Sequence, residues 1–588
     1  MTTTRPPEGR TQPVTRIEVG ETAEAFVEAL VAQGVDCLFL NPGTDTFPVQ
    51  EAIRKLEEQG RDAPRVILCL FEIVALAAAH GYYAATGRPQ AVLVHVDVGT
   101  QNLGSMLHNA QRGRAAVVIA AGRAPYTSDP MERGSRSSYI HWLQEQLDQH
   151  GIVRNYTKWD YELRRADQVG EAVNRAFQVA ASDPPGPVYM TLPRELLMAQ
   201  PDKPQLYASE RFRPARLGSG DRESLEIVTE WLVAADRPLV LTSDVGKSAE
   251  GYAGLEQLCD LLALPVVEWR NRANFPGDNP LHQGYDPNEL LEEADVILIV
   301  DHDIPYIPTI ANPRPDARVI QIDIDPVKER IPLWTYPVDL PIKADSAKAL
   351  RDIAALASDT LDNARREEID RRRRKLAERH ERLRDDWQAQ ARSDGDGSDI
   401  TPAWLGYCLN ELAAGDDDII VVDEMVTSNS TVWEQFPARR PESWYVSGGS
   451  GLGWGLGAGL GIKLARPDQQ VVSLVGDGSF VFGAPTAALW AMEVQQAPVM
   501  IVIFNNACYN ATKRPLVAAY PEGYSVSTDR FVGIDLAPPP RYDVIAEAVG
   551  AYGEQVSEPG ELLDALRRGL ESVRNGKTSV IDVQLRRP

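Results

Sequence analysis

The stretch Val471-Val472-Ser473-Leu474-Val475-Gly476-Asp477-Gly478-Ser479 restricts the fold more than any other in this 588-residue chain. A short apolar run that breaks into Gly-Asp-Gly-Ser reads as a buried strand ending in a tight turn. A segment of helical length follows, with Leu489, Trp490, Met492 and Val494 as apolar positions. A second buried strand, Val499 to Phe504, ends on Asn505-Asn506. Asp477 and Asn506 lie roughly thirty positions apart, about one strand–helix–strand unit. Two parallel strands thus set an aspartate beside an asparagine at their carboxyl ends, where open α/β sheets bind ligands.

The chemistry this suits is a hard cation holding a diphosphate. One carboxylate oxygen from Asp477, one amide oxygen from Asn506 and the Cys508 carbonyl leave room for phosphate oxygens and water, an all-oxygen set of the kind Mg²⁺ prefers. Glycines let backbone N–H groups approach phosphate, and a helix N-terminus favours its charge.

From Gly476-Asp477-Gly478-Ser479 to Asn505-Asn506 the chain resembles the signature of the thiamine diphosphate (ThDP) enzymes, GDG followed at this distance by NN. The resemblance implies ThDP and Mg²⁺ as cofactors, with Gly476, Gly478, Ser479 and Tyr509 at the diphosphate. It further implies that Thr427-Ser428, after the strand Ile419 to Glu424, hydrogen-bond the diphosphate. Gly448-Gly449-Ser450-Gly451-Leu452-Gly453 resembles the stretch that bends the cofactor, Leu452 supporting it between its rings and the Ser450 carbonyl accepting from its amino group. Gly453, Gly455 and Ala458 also match GxGxxA, but no clear strand precedes them and no acidic residue follows at ribose distance, so a dinucleotide fold is discounted.

Residues from about Thr22 to Pro193 alternate helix and strand patterns and predict a doubly wound parallel sheet. Its elements are a helix over Ala23 to Gln33, strands at Cys37 to Leu40, Val66 to Phe71, Ala91 to Val96, Ala115 to Ala121 and Val188 to Leu192, and a helix from Ile73 to Thr86. Glu72 sits at a seam between two apolar runs, where a lone carboxylate is costly to ionise. The resemblance makes it the carboxyl that faces the cofactor's aminopyrimidine. Asn41-Pro42-Gly43-Thr44 looks like the NPG-Ser loop of benzoylformate decarboxylase, with Thr44 in place of the serine. The loop Val94 to Asn102 resembles the one that carries that enzyme's active-site histidine, which puts His95 in a catalytic role. His80 reads as a packed helix residue. Leu143-Gln144-Glu145 resembles a stretch of acetolactate synthases and makes Gln144 a substrate candidate.

The whole chain is expected to be α/β, with three doubly wound parallel-sheet domains: a lead-in over 1–16 expected to be disordered, a pyrimidine-binding domain over 17–197, a central domain over 221–346, a charged helical linker over 347–398 and a diphosphate-binding domain over 399–588. In the central domain His302 is a further substrate candidate, and Arg270 and Arg272 read as a solvated loop that could also meet a nucleotide's phosphates. In the linker Arg371-Arg372-Arg373-Arg374 reads as a solvated face of one exposed helix.

A net charge of −24 argues against nucleic acid and anionic membranes as partners. No apolar run reaches membrane-spanning length. Five scattered cysteines without metal spacing fit a reduced, cytoplasmic setting. The function expected from the resemblance is making or breaking a carbon–carbon bond beside a carbonyl in a small 2-oxo acid or acyl substrate. A 2-oxo acid decarboxylase of benzoylformate decarboxylase type leads; a carboligase like acetolactate synthase or a 2-hydroxyacyl-CoA lyase is the alternative. A non-catalytic relative is disfavoured by the intact Glu72, Asp477 and Asn506. The family implies a homodimer at least, and a homotetramer is expected.

Overall fold

The computed structural model describes residues 14–16, 19–416 and 418–588. They form two compact units, one holding the residues up to Ala215 with Gly448–Ala465, the other Arg216–Ser447 with Arg466–Pro588.

The first unit is built on a six-stranded parallel sheet in the order Arg65–Leu68, Cys37–Leu40, Gln90–Val94, Val117–Arg123, Val188–Pro193, Asp160–Glu162. Its inner strands are buried along their length except at Arg123, as the continuous apolar runs require of a sheet covered on both faces. Of the expected lead-in, Val14–Arg16 is instead a strand antiparallel to Gln205–Tyr207, because its backbone groups find partners there; residues 1–13 lie outside the described residues. The strand expected to run to Phe71 stops at Leu68. Phe71 takes the extended N-cap conformation and Glu72 opens the helix Glu72–Thr86. The segment read as a loop after Val94 is a helix, Val96–Asn102, with His95 as its N-cap.

Helix Glu72–Thr86 lies backbone to backbone against helix Trp454–Ala465. A Cβ on Gly461 would stand 1.9 Å from the Ala78 carbonyl oxygen, and one on Gly81 would stand 2.5 Å from that of Ala458. The glycine-rich run that mimics a dinucleotide motif is therefore a helix whose missing side chains permit this approach. His80 is buried at the crossing, where its Nδ1 accepts the indole N–H of Trp454 at 3.1 Å.

The second unit carries two parallel sheets. The five-stranded one runs Val266–Glu268, Pro238–Thr242, Val296–Val300, Arg318–Asp323, Leu340–Lys343. The six-stranded one runs Trp444–Tyr445, Ile419–Glu424, Gln470–Gly476, Met500–Asn505, Ser579–Gln584, Tyr552–Val556. Arg270 and Arg272 are not solvated: both are buried. Arg270 donates to Glu268 at 3.1 Å and to the Phe436 carbonyl at 3.0 Å, with its guanidinium 4.8 Å from the Trp444 ring centre. A planar cation with every side occupied can be desolvated, and here it joins the two sheets.

The charged stretch is two helices, Ser346–Thr360 and Asn363–Gly395. The first buries Ala349, Leu350, Ile353 and Ala357 in the core of the five-stranded sheet. The four arginines are not one solvated face. Arg371 and Arg374 are exposed, whereas Arg372 donates to the carbonyls of Ala235, Leu262 and Ala263 at 3.0, 2.6 and 3.0 Å. Those carbonyls end two helices and have no intrahelical partner, so a cation there satisfies them. Burial and the neighbouring Arg365 push the Arg372 guanidinium down to about 10. All five cysteines are buried and free, and no helix of the described residues is long and apolar enough to cross a membrane.

Truncating Arg270 leaves Glu268 buried without its cation. Arg270→Ala should destabilise the second unit by about 3–5 kcal/mol, seen in urea titrations as an earlier loss of tryptophan fluorescence. An unchanged midpoint would show that Arg270 is not a structural tie.

Candidate functional site

In the first unit the polar residues gather where strands Cys37–Leu40 and Gln90–Val94 end. Glu72 is buried on the first turn of its helix, and its Oε2 accepts from Asn102 Nδ2 at 3.1 Å. Gly99 separates Glu72 from His95: a Cβ there would lie 3.1 Å from Glu72 Oε1 and 3.4 Å from His95 Cβ. The imidazole Nδ1 of His95 is paired with the buried carboxylate of Asp45, whose Oδ2 also accepts the Val96 N–H at 3.2 Å. Burial opposes the imidazolium, but Asp45, Asp97 and Glu72 outweigh it and the His95 pKa rises. Thr44 is exposed, and its carbonyl accepts from Arg194 at 3.2 Å. Gln144 is buried, and neither of its amide atoms has a hydrogen-bond partner.

The Gly448–Gly453 segment lies on the helix Gly104–Arg112. Asn109 grips Gly451 from both sides, accepting its N–H and donating to its carbonyl, both at 2.8 Å. A Cβ on Gly448 would come 2.7 Å from Gly113 Cα, and Gly448 has φ +74°, so glycine is required there twice over. Ser450 Oγ lies 3.1 Å from His108 Nε2. Leu452 is half-buried next to this grip.

In the second unit Gln470–Gly476 and Met500–Asn505 are parallel neighbours with Gly476 opposite Phe504. The expected tight turn is shorter still: Gly476 is an N-cap and Asp477 already opens the helix Asp477–Phe482. Asp477 is buried; its Oδ1 accepts the Gly478 N–H at 2.8 Å, while Oδ2 has no hydrogen-bond partner. Burial pushes its carboxyl up to about 6. The Asn506 amide oxygen accepts the Cys508 N–H at 3.0 Å, and the Cys508 carbonyl accepts from Asn510 at 2.9 Å. The Tyr509 ring would lie 2.7 Å from a Cβ on Gly478, which must therefore stay bare. Ser479 is buried in the same helix. Asn505 differs from its neighbour: it donates to Asp582 at 2.8 Å and serves the sheet.

Thr427 and Ser428 follow the adjacent strand Ile419–Glu424. The turn before them is held by the buried Asp423, which accepts from Met425 N, Trp433 Nε1 and Trp444 Nε1 at 3.1, 2.8 and 3.1 Å. Val426, β-branched, has φ +57°, a strained conformation that this carboxylate stabilises. Ser428 caps the helix Asn429–Gln435, in which burial raises the Glu434 carboxyl to about 7. His302 belongs to the other sheet, after Val296–Val300; it is buried, its Nδ1 lacks a hydrogen-bond partner, and burial pushes it down to about 4, so it is neutral.

The structure thus gathers Glu72, His95 and the Thr44 turn in one unit, and Asp477, Asn506, Cys508, Tyr509 and Gly478 in the other. His302 follows a strand of the five-stranded sheet, whereas the latter set follows strands of the six-stranded one. Sequence reasoning missed Asp45, Asn102, Asn109 and Arg194. Asp45 and Asn102 lie inside or beside quoted motifs and carried a signal as polar residues next to buried strands; Asn109 and Arg194 act on backbone groups far along the chain and carried none.

Three family models match the chain: Thiamine pyrophosphate enzyme, N-terminal TPP binding domain, over residues 20–152; the central domain over 225–353; and the C-terminal TPP binding domain over 425–583. The acetolactate synthase isozyme 3 large subunit of Escherichia coli is 27% identical, covering 96% of this chain and 95% of its own length. Benzoylformate decarboxylase of Pseudomonas aeruginosa is 27% identical over 83% of this chain and 86% of its own. The solved structure of a Rhodococcus jostii thiamine diphosphate-dependent 4-hydroxybenzoylformate decarboxylase superposes with a TM-score of 0.77 at 23% identity, covering 97% of this chain and 99% of that one. That likeness establishes the fold.

Glu434 tests the electrostatics of the turn. A carboxyl whose folded pKa lies above its unfolded value stabilises the fold only while protonated, so its contribution is present below about pH 4.5 and lost as pH rises through 7. Glu434→Gln should be more stable than the parent at pH 8 by about 1 kcal/mol, the shift being discounted for partial exposure. The difference should close towards pH 4.5 in thermal melts; a gap that is the same at both pH values would refute the burial argument.

Proposed function

The chain belongs to the thiamine pyrophosphate enzyme family, and on that premise we propose that it is a ThDP- and Mg²⁺-dependent enzyme that decarboxylates a 2-oxo acid. The observation that carries this reading is His95, held by Asp45 beside Glu72 at the strand ends. Loss of CO₂ from a 2-oxo acid must be matched by a proton, and a positioned imidazole at the carbonyl's side can deliver it. When bound, ThDP supplies an electron sink next to the substrate carbonyl, which is what lets the bond to the carboxyl carbon break.

The residues of the second unit suit the cofactor's charged end. Asp477 offers a buried carboxylate oxygen without a protein partner, and Asn506 and the Cys508 carbonyl add neutral oxygens. This is a hard-donor set, fit for Mg²⁺ and poor for zinc. Three protein oxygens do not fill an octahedral shell, so phosphate oxygens and water would complete it. Gly476, Gly478, Ser479 and Tyr509 would line the diphosphate, with Thr427 and Ser428 as hydroxyl donors. In the first unit Glu72 would hold a proton at the aminopyrimidine, and Ser450 and Leu452 would fix the cofactor's bend. Thr44 and Gln144 would meet the substrate. A cytoplasmic homodimer or homotetramer is part of the same proposal.

Carboligation is the second reading, and the near full-length likeness to an acetolactate synthase subunit favours it. Both readings are separated by incubating the protein with ThDP, Mg²⁺ and a panel of 2-oxo acids, singly and with an aldehyde acceptor, and weighing the products. Aldehyde as main product supports decarboxylation; a longer 2-hydroxy ketone or hydroxy acid supports ligation.

Asp477→Ala should abolish Mg²⁺-dependent ThDP retention in calorimetry; unchanged affinity would remove this loop from the site. His95→Ala should lower turnover of aryl or branched 2-oxo acids by about 10²–10⁴-fold while ThDP affinity stays constant. Undiminished decarboxylation would return His95 to packing.

A further inference from the structure

We propose that Asp45 is a positioning residue for His95: its carboxylate holds a proton on Nδ1, which leaves Nε2 as the atom that exchanges a proton with the substrate. The inference deepens the decarboxylase reading and rests on it.

An ionised carboxylate only accepts, so an Nδ1 paired with it must donate. Asp45 cannot swing away. Its side chain is 1% exposed, and its second oxygen is occupied by the Val96 N–H at 3.2 Å, the first amide of the helix that His95 caps. The backbone is cleared for the pair on both sides. A Cβ on Gly43 would fall 2.0 Å from His95 Nδ1, and one on Gly122 would fall 1.4 Å from Asp45 Oδ2. Arg194 braces the turn from behind, donating to the carbonyls of Thr44, Gly134 and Ser135 at 3.2, 2.8 and 2.6 Å. Four elements thus converge to fix one carboxylate against one ring nitrogen.

The other titratable groups facing His95 are Asp97 on its own helix, Glu72 on the neighbouring helix, and His141, which itself meets Arg194. The two further acids favour the charged ring without touching Nδ1, so Asp45 alone decides which nitrogen is bound. The proton balance closes without another reagent. The imidazolium would give its Nε2 proton to the carbon that has lost CO₂, become neutral with its remaining proton on Nδ1, and recover a proton from water through its 21% exposed side. An aspartate that orients a histidine through Nδ1 while Nε2 does the chemistry is the logic of a catalytic triad.

The test uses the full-length protein with ¹⁵N-labelled histidine, the His95 signals being assigned by their loss in His95→Ala. In the parent, neutral His95 should carry its proton on Nδ1. Asp45→Asn should lower the His95 titration by about one unit. It should shift the basic limb of the kcat/KM profile in the same direction, and reduce kcat by about tenfold or more with KM held within about threefold. ThDP affinity should not change. Neutral His95 protonated on Nε2 in the parent overturns the proposal without any variant having to fold. So does an Asp45→Asn protein whose His95 titration and kcat match the parent. A fully active His95→Ala protein instead defeats the functional reading and with it the catalytic half of the proposal, while the spectrum reports on the pairing independently.

Discussion

Helix Glu72–Thr86 can reach its place only because glycines stand at the closest points of its crossing with helix Trp454–Ala465. With Gly81, Gly457 and Gly461 bare, backbone meets backbone, and the approach is closer than any Cβ would permit. Much of the first unit's polar chemistry hangs on that contact. It sets the start of the helix, hence Glu72, under the strand ends. It also carries the Gly448–Gly453 segment onto Asn109. Close packing of this kind is unforgiving: interiors have no spare volume, so a shift at the crossing moves what is attached to it.

The second unit depends on buried charge instead. Arg270 and Asp423 are both out of water, and each is stabilised by aromatic and backbone partners drawn from several segments. The penalty for leaving either unpaired is larger than the net gain from pairing it. Such groups therefore specify geometry more than they add stability, and here the geometry is a turn with Val426 in a strained conformation just before Thr427 and Ser428. Asp477 is the contrasting case, a buried carboxylate with one oxygen left open. A fold that keeps it so has left a polar debt that a cation can settle.

The paired asparagines show how a motif divides its labour. Asn505 and Asn506 are adjacent, and one points into the sheet to Asp582 while the other turns to the Cys508 amide. Alternation along a strand end explains the split, since successive side chains face opposite ways. On the other unit His95 and Glu72 come from separate strand–helix junctions and meet across Gly99. A site assembled from strand ends needs no long loops, because the parallel sheet already brings its carboxyl edges into line.

Where the cue was local, it was legible. Apolar runs announced the inner strands, glycine and asparagine pairs announced their ends, and the spacing between Asp477 and Asn506 implied a parallel pair, because period and turn chemistry act over a few residues. The resemblance makes Val94 to Asn102 a loop, yet Val96–Asn102 is a helix, although its glycine and β-branched residues have poor helix propensity, because tertiary packing overrides propensity. Arg270 and Arg272 were read as solvated because charge in a loop sequence gives no sign of the aromatic cage that folds around it. The run Arg371–Arg374 looked uniform, yet the fold chose Arg372 and Arg373 to satisfy helix-end carbonyls more than a hundred positions away. The sequence by itself determined the three parallel sheets, the family and the residues with chemistry to offer. Only the tertiary structure decided which partner each received, Asp45 for His95, Asn102 for Glu72 and none for Asp477 Oδ2, because such pairings depend on distances between segments that no local pattern encodes.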